Sequence, residues 1–368
     1  MKKRKLLILI SFIILLAFVL LYTLFKPHNQ GLYKVTILPS FEGAFTVPLA
    51  INDNGQIAGL LEFSNGNCHL FLWDKANEIR DLGPAVSSVS LNNNGQIAAC
   101  FHDPNRITRA FFWDPNSGRT ILPTLGGSFT RAFCINNRGQ VVGDSTNSSG
   151  VRHAFVWDKI NGISDLTPTS TGNTMAISIN DAGQVVTMQN TNLLLNLDGN
   201  KVTNSVTIPL HAVCRINNNG YIAGMIQDTG KMYKIGTWHA GSNQQNLVKS
   251  NKASSLQKGL SYSYYINDLN QIIITEVQEP SDFFGLKVFS LKTSNYIFSP
   301  DFGLFSLDGY VSVKGNEVLA LTGINNNGSI IGVVQSIKDS DRKGVLFEPV
   351  PEKMEKIIKK SKVTKVER

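Results

Sequence analysis

The sequence predicts an all-β chain, a seven-bladed β-propeller closed by an N-terminal strand and preceded by one transmembrane helix. Three observations carry that reading. A phrase that opens Ile-Asn, or Leu-Asn in its second copy, recurs seven times at intervals of 37 to 58 residues. Each copy opens a series of short β-rich segments separated by polar turns. A stretch of twenty residues without a charge precedes the first copy. Four-stranded units of about 40–50 residues, repeated four to eight times, mark propeller blades, because radial packing buries both faces of every sheet.

The chain opens with a basic stub, residues 1–5, followed by the uncharged stretch Leu6–Phe25 (LLILISFIILLAFVLLYTLF). As a helix rising about 1.5 Å per residue it covers about 30 Å, one bilayer hydrocarbon core. A cleavable secretory signal has a shorter apolar region and small residues ahead of the cleavage point. Tyr22–Pro27 offers no such pattern, so residues 6–25 read as an uncleaved signal anchor. Lys2, Lys3, Arg4 and Lys5 ahead of the span orient the N-terminus to the cytoplasm. Everything beyond the linker 26–31 is then extracytoplasmic, periplasmic or at the cell surface. A cleaved signal is the alternative, and it leaves the body in the same compartment.

The repeats fill residues 32–349. Their phrase is IN-x-x-G-Q, with copies beginning at Ile51, Leu91, Ile135, Ile179, Ile216, Ile266 and Ile324. Every copy keeps its asparagine: Asn52, Asn92, Asn136, Asn180, Asn217, Asn267 and Asn325. Asn and Asp ahead of Gly suit a tight turn, since the side chain bonds its own backbone and Gly takes positive φ without strain. The phrase therefore reads as the turn between a first and a second strand. A calcium loop is the rival reading of Asp53-Asn54-Gly55, but Asn92-Asn93-Asn94 is uncharged and calcium requires several carboxylates.

A second phrase opens the third strand: HLFLWD from His69, RAFFWD from Arg109 and HAFVWD from His153. It degrades to KIGTW from Lys234, KVFSL from Lys287 and KGVLF from Lys343. Trp73, Trp113, Trp157 and Trp238, one per blade at a fixed position, read as inter-blade core rather than a sugar-stacking surface. The seventh unit ends on its third strand. Leu32–Leu38, ahead of the first phrase, supplies the missing fourth strand and is expected to pair near Val345–Phe347, which removes an exposed edge.

Taken together, IN-[DN]-x-GQ[IV]-x-G followed by [HR]-A-F-x-W resembles the HAF family of extracellular repeat proteins, over nearly all of residues 32–349 and most strongly in the first three copies. The resemblance implies secretion or surface exposure and a propeller-like fold. It brings no established activity, substrate or catalytic residue.

Charge excludes nucleic acid as a partner. The chain has 35 basic and 27 acidic side chains, yet residues 1–26 hold +5 and residues 351–368 hold +4, leaving the body at −1. No nucleophile elbow, HExxH, P-loop or cofactor motif is present, and the 6 histidines are scattered singly, so neither a catalytic nor a cofactor-binding nor a metal site is assigned. The four cysteines, Cys68, Cys100, Cys134 and Cys214, read mostly as buried thiols, with a Cys68–Cys100 bridge between neighbouring blades as an option.

Candidate partner-binding residues fall in two groups. His69, Arg109, His153, Lys234, Lys287 and Lys343 head the third strands, and together they would attract an anion. The alternative is that each pairs within its own blade, where an exposed ion pair contributes little. Phe283, Phe284, Phe302 and Tyr310 lie near long connections at Lys249–Ser261 and Ser299–Glu317, both assigned to fourth-to-first loops of blades six and seven. In a propeller those loops and the second-to-third loops share one face, and the IN-x-x-G turns lie on the other. Long loops on a rigid scaffold are where binding resides.

The chain therefore reads as a membrane-anchored interaction module for an envelope protein or glycan. A propeller hydrolase or lyase acting on an extracellular polymer is the runner-up, and a purely structural envelope protein the third reading. The tail 350–368, basic and with Met354, Ile357 and Ile358 among its lysines, is either solvated or laid on anionic headgroups.

Overall fold

The computed structural model describes residues 31–190, 192–196, 205–208, 215–227, 233–239, 242, 244–247, 261–278, 282–283, 286–287, 292–301, 303–308, 310–311, 313–339 and 341–355. Seven antiparallel four-stranded sheets make the seven blades of a β-propeller. Blade 1 runs Phe45–Ile51, Ile57–Glu62, Cys68–Asp74 and Glu78–Pro84. Blades 2 to 6 repeat the order, and blade 7 pairs Asn316–Ile324, Ile330–Ser336 and Arg342–Pro349 with the N-terminal strand Tyr33–Ile37. There Tyr33 faces Pro349 and Ile37 faces Val345. The apolar segment 6–25 lies outside the described residues; among the described residues no helix is long and apolar enough to cross a membrane.

The core is divided into packets between blades, one at each junction. Trp73 and Phe71 pack with Ile331 and Leu346 of blade 7. Trp113 and Phe111 pack on Ala58 and Leu72 of blade 1, Trp157 and Phe155 on blade 2, and Trp238 on blade 4. All four tryptophans are buried. Burying large aromatics against the preceding blade is the main attraction between sheets that share no ladder.

The last glycine of the first phrase answers to the first strand that lies over it, since in blade 2 Ala99 takes the same place opposite Phe111. Gly59 faces Phe71 and Gly143 faces Phe155 across the second and third strands. A register shift between Ala132 and Cys134 brings the first strand of blade 3 over that glycine. A Cβ on Gly143 would approach the Arg131 carbonyl oxygen and, at 2.8 Å, the Phe155 ring. The aspartate of the phrase closes the third-to-fourth turn. Asp114 Oδ1 accepts from the backbone N–H of Asn116 and Ser117, and Oδ2 from the Gln96 amide.

Two expectations are corrected in blade 6. Lys287 does not head the third strand, which is Lys292–Ser299; Leu286–Lys287 pairs instead with Asp282–Phe283 in a small hairpin between the second and third strands. Ser299–Glu317 is not purely a fourth-to-first loop either, because Gly303–Ser306 within it is the fourth strand. The inserted hairpin is itself β-rich and occupies the sequence position where a third strand is due. The Cys68–Cys100 bridge does not form: Cys68, Cys100 and Cys134 are free thiols, and Cys214 lies outside the described residues.

Gly143→Ala should lower the unfolding free energy by about 2 kcal/mol or more, since backbone lies where the methyl would go; denaturant titration beside Ala99→Gly, expected to cost about 1 kcal/mol, tests this, and equal losses would refute the packing account. Acid stability gives a second test. Gln96 and the backbone donors hold the Asp114 carboxyl below the ordinary carboxylate value, so its contribution is complete above about pH 5 and lost as the pH falls below about 4. Asp114→Asn should flatten that part of the pH profile in thermal melts, leaving the neutral end less changed.

Candidate functional site

The first strands line the propeller axis, and the turns that end them gather round one mouth. That mouth is a polar cavity of ≈ 170 Å³ to which all seven blades contribute. Each repeat asparagine is buried and serves its own turn first. Asn136 Oδ1 accepts from the backbone N–H of Arg138 and Gln140, and its amide donates to Gln140 Oε1. The turn glycines have positive φ, +76° at Gly139 for example, and in the copy that lacks the glycine Asn270 takes its place at φ 57°. Asn is the side chain that tolerates that region best after Gly.

The same amide also leaves its blade. Asn52 Nδ2 donates to the backbone oxygen of Asn92 at 3.0 Å, Asn92 to Asn136 at 2.9 Å, and Asn136 to Asn180 at 3.0 Å. Asn180 donates to Asn217, Asn217 to Asn267, Asn267 to Asn325 and Asn325 back to Asn52. The ring closes without a gap.

A second ring runs through the next residue, where each backbone N–H donates to the side-chain oxygen of its counterpart in the following blade. Asp53 donates to Asn93, Asn93 to Asn137, Asn137 to Asp181 and Asp181 to Asn218. Asn218 then donates to Asp268, Asp268 to Asn326 and Asn326 to Asp53. No two of these carboxylates are neighbours. Each side-chain amide of the ring donates to an adjacent carboxylate: Asn93 and Asn326 to Asp53, Asn137 to Asp181, and Asn218 and Asn326 to Asp268. Adjacent carboxylates would repel and leave acceptors without donors, so keeping the acids apart with amides satisfies both charge and hydrogen bonding.

Asp53, Asp181 and Asp268 are thus each engaged by neighbouring amides. Among the described residues no group of three His, Cys, Asp or Glu side chains is placed to hold a metal. The sequence reading missed this second row altogether. Its signal, Asp or Asn after every repeat asparagine, was in view but already had a sufficient explanation in the turn.

The basic third-strand positions lie two strands out from the axis and do not meet. His69 Nδ1 is 2.7 Å from Asp81 and half-exposed. His153 is buried, with Nδ1 2.7 Å from Asp165 and Nε2 3.0 Å from the Ser170 carbonyl, so both ring nitrogens are engaged. Arg109 has a buried Nε without a hydrogen-bond partner. Lys343 is exposed opposite Val334. Lys234 lies in Tyr233–His239, and Phe283 with Lys287 in the blade 6 hairpin. Tyr310 is half-buried against Phe305, ring centres 5.1 Å apart, and belongs to the junction of blades 6 and 7. Phe284 and Phe302 lie outside the described residues.

Neither a family model nor a curated protein matches the sequence. Solved structures do resemble the chain. A puromycin hydrolase aligns at TM-score 0.51 and 10% identity, over 81% of this chain and 51% of its own. The WD40 β-propeller domain of Doa1 aligns at 0.49 and 13%, over 85% and 97%. TolB from Acinetobacter baumannii aligns at 0.44 and 13%, over 68% and 63%. The chain therefore spans about half of the hydrolase and under two thirds of TolB. The fold and the axial ring define a seven-bladed β-propeller, and the likeness to the hydrolase bears on that fold alone.

Asn136→Ala removes two donor and two acceptor bonds in a buried turn and should cost about 2–4 kcal/mol. Asn54→Ala, which loses one exposed bond to Asn93, should cost under about 1 kcal/mol. Guanidinium unfolding of the two variants distinguishes a hub from a decorated turn: similar small losses would mean the ring contributes nothing.

Proposed function

We propose that this chain is a membrane-tethered, extracytoplasmic propeller of the HAF-like kind, and that it works as an interaction module for an envelope protein or glycan. The observation that carries the reading is the asymmetry of its faces. At the axis, the face of the first-to-second turns is bonded into two closed rings, which fix the disc and leave few free donors. The opposite face carries the blade 6 hairpin and the connections of most variable length. A rigid base with a variable rim suits recognition, where pre-ordered loops lose little entropy on binding.

The tether is supported by Leu6–Phe25 and by the way the two ends of the disc meet. Val350 N–H donates to the Leu32 oxygen at 2.7 Å, and Met354 packs on the cluster that holds Leu32 and Tyr33. Closure of blade 7 by Tyr33–Ile37 thus ties the segment that follows the anchor to the last blade. The basic tail leaves at the same point, where it would meet anionic headgroups.

Two measurements on the full-length chain in its native cells test the reading. A membrane-impermeant maleimide should reach Cys68 in intact cells; burial and Glu62 hold this thiol above its ordinary value, so the labelling needs alkaline buffer. Labelling only after lysis would overturn the location. Photocrosslinkers at Asn65 and Ser149, on second-to-third turns, should give a discrete adduct that Asn54 and Asn219 on the hub face do not. Adducts from the hub face alone would overturn the assignment of the binding face.

A further inference from the structure

Asp144 is a carboxylate that the repeat does not explain. Eight residues past the repeat asparagine the other blades hold Leu60, Cys100, Met188, Met225, Thr275 and Val333; blade 3 alone holds an acid, and its side chain is fully buried. Arg131, opposite it on the first strand, donates from Nε to Oδ1 at 3.0 Å and from Nη2 to Oδ2 at 3.2 Å. Arg152 on the third strand brings Nη1 to 3.6 Å from Oδ2.

Two guanidinium groups thus face one carboxylate, leaving a net +1. As stability alone this is a poor arrangement, since a buried ion pair seldom outdoes the apolar residue that neighbouring repeats place there. Burial in fact pushes the Asp144 carboxyl above its ordinary value, against the pull of both arginines.

What the arrangement does achieve is to hold two arginines side by side with donors to spare. Their side chains are 28% and 40% exposed, and among the described residues Arg152 makes no other polar side-chain contact. Phe129 lies beneath both, its ring centre 5.8 Å from the Arg131 guanidinium carbon and 6.0 Å from that of Arg152, and Phe133 flanks Arg131 at 4.5 Å. The strand that carries them, Gly126–Ile135, has 10 residues and two register shifts. Along it Phe129, Arg131 and Phe133 alternate on one half-buried side.

We propose that Arg131 and Arg152 form a binding site on blade 3 for a monocarboxylate carrying a flat apolar group, with Asp144 holding the guanidinium groups in place and Phe129 as the floor. The fork of a guanidinium matches a planar carboxylate through two parallel bonds. The spare charge matches one negative charge, whereas a phosphate dianion would bring a second one beside Asp144. The site does not depend on what the loops of blades 6 and 7 contact.

The test uses the full-length chain in detergent with benzoate, acetate and inorganic phosphate as probes, followed through the arginine Nε–Hε resonances in nitrogen-15 spectra. Benzoate should shift the Arg152 and Arg131 signals saturably, with acetate and phosphate each weaker by about tenfold. Arg152→Gln, at the exposed edge, should fold normally and lose about tenfold in benzoate affinity, the scale of one charge-assisted bond. Phe129→Leu should weaken benzoate while leaving acetate unchanged. No saturable shift in the unmodified chain, unchanged affinity in Arg152→Gln, or tighter binding of phosphate than of benzoate would each overturn the proposal.

Discussion

The hydrogen bond from a buried asparagine amide to the backbone of the next blade is the constraint on which the rest of this structure depends. Blades of a propeller share no β-ladder with their neighbours, and hydrophobic packets between them are non-directional. Such packets attract sheets without fixing how far one is rotated or shifted against the next. Asn52 to Asn92, and so on round to Asn325 and Asn52, supplies the missing direction at the one radius where all blades are close. A ring whose last bond returns to its first residue also leaves no unpaired amide or carbonyl at the seam between blades 7 and 1.

That asparagine serves two functions in one side chain, and this bears on how much the sequence disclosed. The blade number, the turn at each IN-x-x-G and the burial of Trp73, Trp113, Trp157 and Trp238 were legible, because each follows from a local rule: Gly ahead of a β-run, or an aromatic at a fixed place in the repeat. The inter-blade half was not. A bond spanning 40 or 58 residues leaves no trace in a pattern already accounted for by the turn. Asp53, Asn93 and their counterparts were passed over for that reason. Blade 6 failed differently. Its hairpin, Asp282–Phe283 with Leu286–Lys287, is short and β-rich, and local β-propensity does not say to which sheet a strand belongs.

The axial ring also shows how acids can be gathered round an axis without ionic strain. The seven side chains of the second row are ordered so that no two carboxylates adjoin and each accepts from at least one neighbouring amide. Neutral partners satisfy an acid without demanding the desolvation of a second charge. Blade 3 departs from that economy. Asp144 is partnered by arginines rather than amides, in a position that six other repeats fill with Leu, Cys, Met, Thr or Val, and a fully buried carboxylate held by two part-exposed guanidinium groups has no counterpart at the hub.

The contrast separates what the repeat requires from what one blade adds. A feature present seven times and closed on itself is scaffold: its chemistry is exhausted by its own partners, as the committed acceptors of Asp53 and Asp268 show. A feature that occurs once, costs desolvation and retains unused donors is not exhausted by its partners among the described residues. The His153–Asp165 pair has the first character despite resembling a catalytic dyad, since both imidazole nitrogens are engaged by protein oxygens. Arg131 and Arg152 have the second. In a molecule built by repetition, departure from the repeat combined with incomplete satisfaction is therefore a better physical guide to function than the conspicuousness of a residue type.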